Sequence, residues 1–492
     1  MFNNILLCGI ILFFSTQFSF AQGTFQSTDL QPQINSPESA NLGKDVTLPV
    51  NLNTGSPEIS IPVYTLEYGG MSLPISLSYD ASGVKVEELA SVVGLKWNLH
   101  VGGALMRIVR GTYDEGNYYA PHQGLVSTLG YYSSYGLTEL KNNIDVFEEQ
   151  GGELGIYLNN LAYGYQDGQP DIYSYNAGDH SGKFYFNENR EPISYDQKDV
   201  IIEEVYTSGS TRSRFMGWDI TVEDGTKFTF GKTEGAIEKV YSSNINSSSN
   251  QWQDNSWVLT KVYNPKTNRE IKLEYKENKY ATGIISNQSK HTCMVYADGS
   301  GGCVLKNHEE LYCSSGIVDQ SNVLSQQNYS VPILSKITAG DTEIIFTSSG
   351  RTDLHGYLGS TPLKLDQIEI RYRGSCIRKF KFSYNYFSTS REPVNYLLFG
   401  ADLSETSKKR LKLLSFTESS CDEADKKTHS FVYNETYSLP PRISFARDSW
   451  GYFNGEHDNL SLYPDLFPYY DACINDFLQI VRSDWIMPKV VP

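Results

Sequence analysis

Residues 73–111 read LPISLSYDASGVKVEELASVVGLKWNLHVGGALMRIVRG. In the first eight residues the apolar Leu73, Ile75, Leu77 and Tyr79 alternate with Pro74, Ser76, Ser78 and Asp80. That is the period of a strand with one buried face. The same alternation returns in Leu95, Trp97, Leu99 and Val101, with Lys96, Asn98 and His100 between them. Gly102 and Gly103 then permit a bulge or sharp bend before the next apolar run, residues 105–109.

The rest of the chain repeats this character. It holds 35 Tyr, 23 Phe and 40 Gly against 20% charged residues, a balance that favours strands and turns over helices. At 492 residues it is long enough for two or three domains, since single cores stop growing at roughly 250–300 residues. Trp218, Ile220 and Val222 alternate into Asp224-Gly225, and Phe228 and Phe230 alternate out. This predicts a hairpin with a type I′ turn. Phe184 and Phe186 share one face of a further strand.

A weak repeat runs through the second half: a leucine three residues before Ile or Val, a polar turn, then a short alternating strand. It pairs Leu259/Val262 with Leu273/Tyr275, Leu334/Ile337 with Ile344/Phe346, and Leu365/Ile368 with Phe382/Tyr384. A looser pass joins residues 411–416 to Phe431/Tyr433. Each unit reads as a hairpin that cannot cover its own apolar face, so successive hairpins must pair edge to edge into one long, curling sheet. The expected fold is all-β: large curled antiparallel sheets built from successive β-hairpins, sandwich- or shell-like, with long loops. Residues 280–327 show no period and read as a long insertion, cross-linked through Cys293, Cys303 and Cys313.

The opening segment, an alternating strand closed by Y-x-A-S-G and followed by G-L-x-W-x-L-x-x-G-G-x-x-x-R, resembles the N-terminal region of Rhs/YD-repeat proteins. Toxin-complex B and Salmonella plasmid virulence B proteins begin with a related domain. Residues 36–70 resemble the lead-in of that family, and the segments DIYSYNAGDHSGKFYF, EDGTKFTFGK and SWVLTKV resemble its later text. Residues 439–455, LPPRISFARDSWGYFNG, resemble the P-P-R and D-x-W-G-Y-x-N-G signature that precedes the family's repeats. Asp80 stands where such sequences commonly have His, and Lys96 where they commonly have Gly. The resemblance stops at Gly455, with no G-x-x-x-R-Y-x-Y-D repeat text.

The expected organisation is a signal peptide over 1–21, an N-terminal β domain carrying the signature over 22–118, and a β-rich middle region with long loop insertions over 119–330. Degenerate hairpin repeats then fill 331–455, and a divergent tail fills 456–492. An apolar core over residues 5–14 and the small residues Ser19 and Ala21 predict export. No later segment is long and apolar enough to cross a membrane as a helix. Cys8 leaves with the signal, and six cysteines remain: Cys293, Cys303, Cys313, Cys376, Cys421 and Cys473. Disulfides, buried thiols, or zinc held with His291 and His308 are all open readings.

Net charge is −16, which argues against a nucleic-acid partner for the whole molecule. Residues 1–200 carry 9 basic and 22 acidic side chains, whereas 351–450 carry 16 and 12, so the second region could meet an acidic partner. Catalytic spacings are near misses. The Gly225–Thr233 stretch GTKFTFGKT puts five residues between its glycines where a phosphate loop has four, and HEELY over 308–312 lacks the second His of a zinc helix. The adjacent acids Glu87/Glu88, Glu148/Glu149 and Glu203/Glu204 point to opposite faces of any strand. Trp97 and Trp450 read as core residues or as sugar-stacking platforms, and Arg107 and Arg110 as partners of Asp114 or Glu115. No catalytic residue, cofactor or metal is expected. The resemblance implies a non-enzymatic exported scaffold that encloses or presents a toxin or surface cargo, with other Rhs-family chains or that cargo as partners. A surface carbohydrate-binding or carbohydrate-processing protein is the alternative.

Overall fold

The computed structural model describes residues 56–111, 167–187, 190–195, 200–206, 215–244, 252–291, 319–394 and 396–459, with residues 114, 131, 155, 158, 159, 161, 296, 297, 303, 304, 461 and 462 besides. These belong to one compact unit, residues 51–492. The expected signal peptide, Glu115, Glu148/Glu149, the 308–312 stretch and most of 114–166 lie outside the described residues.

The opening stretch forms β1 (Glu58–Tyr68), β2 (Met71–Asp80) and β3 (Trp97–Val101), an antiparallel sheet in that order. Gly69 and Gly70 join β1 to β2 with φ of 59° and 77°, the left-handed pair that a tight hairpin turn requires. Leu73, Ile75 and Leu77 are buried while Ser72 and Pro74 face out, as the alternation predicts. Gly102, at φ 72°, makes the expected bend into β4 (Gly103–Ile108). Gly103 has a different reason to lack a side chain, because a Cβ there would sit 1.9 Å from the Asn176 carbonyl oxygen on the next strand.

The remaining strands form a second sheet, apart from one two-stranded pair. They are β5 (Ile172–Ala177), β6 (His180–Phe186), β7 (Pro192–Ser194), β8 (Ile201–Tyr206), β9 (Phe215–Thr221), β10 (Lys227–Gly231), β11 (Ile237–Asn244), β12 (Gln253–Asn264) and β13 (Arg269–His291). The short β14 (Tyr296–Ala297) and β15 (Cys303–Val304) pair with each other alone. Then come β16 (Asp319–Ala339), β17 (Thr342–Gly350), β18 (His355–Gly356), β19 (Leu363–Tyr372), β20 (Ser375–Ser388), helix α1 (Tyr396–Ser407), β21 (Lys409–Ser419) and β22 (Lys426–Ser430). With β4, this sheet has 17 strands. It closes on itself, because β12 pairs β13, β13 pairs β16, β16 pairs β11 and β11 returns to β12.

The repeat units are the hairpins β12–β13, β16–β17, β19–β20 and β21–β22, and they pair edge to edge through β13–β16, β17–β19 and β20–β21. Each of those seams carries a register shift, which adds local twist to the sheet. One apolar cluster runs from Val63 and Leu77 through Tyr173, Phe186, Trp218 and Trp257 to Phe346, Ile368 and Phe416. The core therefore collects the inward residue of every alternating strand.

Three expectations need correction. In the β9–β10 turn only Gly225 has positive φ, 87°. The Gly225 amide donates to the Val222 carbonyl at 2.9 Å, and the Val222 amide donates to Thr226 at 3.0 Å. That is a three-residue loop ending in a glycine bulge, not a type I′ turn. Residues 280–291 and 319–327 are not insertion loops, because β13 and β16 run on through them as a paired ribbon. Polar residues outnumber apolar ones along the ribbon, and backbone pairing leaves no sequence period. Finally, α1 was not anticipated; its Leu403 packs on Ala281, Ile285, Ile443 and Phe445. Among the described residues no helix is long and apolar enough to cross a membrane.

Candidate functional site

The two signature segments meet. The Val86 amide donates to the Gly451 carbonyl at 2.8 Å and the Phe453 amide to Val84 at 3.3 Å, with Lys85 and Tyr452 bridged between them. Arg447 pairs with Glu87 at 2.6 Å. The Leu95 amide donates to Leu411 and the Leu365 amide to Val92, so residues 84–95 are also stitched to β21 and β19. The result is a clasp between the start and the end of the described chain.

Beneath the clasp lie three buried arginines. Arg351 grips Asp353 with two bonds, 2.7 Å from Nε to Oδ1 and 2.6 Å from Nη2 to Oδ2, and its Nη1 donates to the Ser91 carbonyl. Arg410 donates to the carbonyls of Pro440 and Val86 at 2.8 and 2.7 Å. Arg442, the arginine of the P-P-R signature, donates to Lys409, Asp353 and Thr406. Of the three, only Arg351 bonds a carboxylate, so main-chain carbonyls supply most of the compensation. Burial and the neighbouring Arg442 charge pull Arg410 down to about 9. Burial, with the Arg351 charge adding to it, pulls Arg442 down to about 10. Burial pushes the Asp353 carboxyl up, but the Arg351 bonds and charge more than offset it, so it titrates below its ordinary value. Forked donors suit this task, since each arginine ties two or three chain segments at once.

Trp97 is buried in the core, where its Nε1 donates to the Tyr433 hydroxyl at 2.8 Å and its ring lies 4.4 Å from Phe431. Trp450 differs from the core reading: it is 71% exposed. Its position is fixed by Asp448, whose Oδ1 accepts the amides of Trp450 and Tyr452 at 2.9 and 2.8 Å. The turn thus holds an indole in solvent beside Tyr452, over which Lys85 lies at 5.6 Å.

Arg107 pairs with Asp171 at 2.5 Å, at the start of the adjacent strand. Asp171 Oδ1 accepts the Arg110 amide at 2.8 Å, and Asp114 accepts the Asp171 amide at 3.0 Å. Asp114, Asp167 and Asp171 are buried, with one carboxylate oxygen of each within 4.8 Å of the others. Burial raises the Asp171 carboxyl although the Arg107 charge opposes it. Oxygen donors of this kind suit a hard divalent cation, but the same oxygens hold the β4–β5 junction together. Sequence reading missed this cluster because Asp114 lies 53 residues before Asp167.

Other candidates fall apart on inspection. Glu87 and Glu88 face Arg447 and Lys96, and Glu203 faces Lys227, all as ion pairs. Lys227–Gly231 of the 225–233 stretch form strand β10, whose extended backbone cannot cradle a phosphate. Cys376 and Cys421 form a disulfide, joining the β19–β20 turn to the end of β21. Side chains of Cys293, Cys303, Cys313 and Cys473 lie outside the described residues.

No family model and no curated protein sequence matches the chain. Among solved structures, the N-terminal domain of effector protein SpvB from Salmonella typhimurium strain LT2 aligns with a TM-score of 0.27 and 11% identity, over 76% of this chain and 99% of that one.

Proposed function

We propose that the chain is an exported, non-enzymatic β-scaffold of Rhs/YD-repeat type that encloses or presents a toxin or surface cargo. The observation that carries this reading is the clasp: both family-like signatures are spent on tying the loop between β2 and β3 to the segment that follows β22. A sheet built this way serves as a wall. Co-expression with the product of the adjoining reading frame, followed by protease digestion, tests the proposal. Cleavage of that product should slow by at least about tenfold in the complex, since protection tracks the population of open states. Equal cleavage rates would count against a scaffold role.

Exposure of Trp450 on a fixed turn favours a second reading, carbohydrate binding at the cell surface. Glycan-array binding lost in Trp450→Ala, with an unchanged melting curve, would select it.

A further inference from the structure

Strands β16 and β17 leave their turn as a hairpin and then part. They pair only from Lys336↔Ile345 to Ala339↔Thr342. Past that point β17 continues to Gly350 along β19, while the same edge of β16 is next taken up by β11 at Ser330. Residues 331–335 of β16 and 346–350 of β17 therefore face each other across a fork, with no strand between them among the described residues. Pro332 sits on the open stretch, a residue that sheets confine to edges and bulges. The fork encloses a cleft of about 240 Å³ lined by Ile333, Leu334, Phe346 and Leu363, with Ser348 and Lys276 also lining it. Lys276 is the one charged lining residue, and it pairs with no carboxylate among the described residues.

We propose that this fork is a docking slot for an extended, acidic peptide segment of a partner protein. Two strand edges present unpaired backbone groups, which only another extended backbone satisfies along its length. The apolar floor between Leu334 and Phe346 accepts an aliphatic side chain. Lys276 supplies the charge complement for a carboxylate. The slot is independent of the scaffold reading.

Fluorescence anisotropy with a labelled pentapeptide, Thr-Val-Ser-Val-Glu, tests the assignment. It should bind, and weaken as salt is raised. Lys276→Glu should weaken binding by at least about tenfold and instead favour the peptide ending in Lys, because the charge pair is inverted. N-methylation of the central Ser should abolish binding by removing a strand donor. The melting curve of Lys276→Glu should not move, since the side chain is exposed. No binding of the Glu peptide, equal binding of the Glu and Lys peptides, or full binding of the N-methylated peptide would overturn the proposal. Binding of octanoate alone, with the same dependence on Lys276, would overturn it in favour of a small-molecule site. Peptide binding that emerges only after residues 22–55 are deleted would assign the slot to this chain's own N-terminal segment instead.

Discussion

Lys96 Nζ lies 2.6 Å from Asp80 Oδ2, and these are the two positions at which the chain departs from the family-like opening pattern. Lys96 holds φ of 64°, a left-handed conformation that favours glycine, so the turn keeps a glycine's shape with a lysine in it. The Lys96 side chain is only 6% exposed and Glu88 flanks its Nζ at 3.3 Å. The two departures thus compensate each other: one supplies the charge that the other needs.

Asp80→Asn is expected to destabilise by about 1 kcal/mol, leaving a mostly buried ammonium with only Glu88. Lys96→Gly should be nearly neutral alone, because relief of roughly 1 kcal/mol of backbone strain offsets the lost pair. The double variant should then lose less than the two single changes summed. Chemical denaturation of the four proteins measures the coupling, and strict additivity would show that the pair contributes nothing.

The same pair sets an acid limit. Burial raises the Asp80 carboxyl, but hydrogen bonds from Lys96 and Ser82 win and bring it down to about 2 from 3.8. A depressed carboxylate stabilises the fold above its unfolded value and loses that contribution as pH falls through the folded value. Stability should therefore decline between about pH 4 and pH 2, and less steeply in Asp80→Asn than in the native chain. Parallel slopes in thermal melts would contradict this.

Arg442→Leu should cost about 3–5 kcal/mol, since one buried and two half-buried carbonyls lose their donor. Arg442→Lys should not restore it, because one ammonium cannot reproduce a fork spread over three segments. Calorimetry reads the outcome; a melting point restored by lysine would refute the geometric argument.

Leu77→Ala should cost about 3 kcal/mol, as expected of a fully buried leucine. Leu77→Asp should prevent folding of the opening sheet. Soluble expression of Leu77→Asp with native circular dichroism would disprove the assigned face.

Reduction of Cys376–Cys421, or replacement of both by serine, should cost up to about 4 kcal/mol by loop entropy for a separation of 45 residues. The loss should show in denaturant midpoints measured with and without reductant, and matching midpoints would refute it.

Hairpins were legible wherever one strand face is buried, as in β2 and the 218–230 hairpin, because period-two alternation survives in the sequence. The β13–β16 ribbon was not, since it is polar along much of its length and held by its backbone. Arg351, Arg410 and Arg442 carry no such signal: only Arg410 lies in a strand, and nothing local announces that three such side chains converge. The same holds for Arg107 and Asp171, partners only because β4 and β5 are adjacent. In Trp450 the reverse happened, with an aromatic residue in a recognisable motif turning out to face water.

The clasp also imposes an order in time. Val86 must wait for Arg410, made 324 residues later, before its carbonyl finds a donor. At about 10 residues per second, that interval is roughly half a minute of synthesis. The loop that carries Val86 stays without that donor until β21 begins. A protein so arranged closes only when its last hairpins arrive.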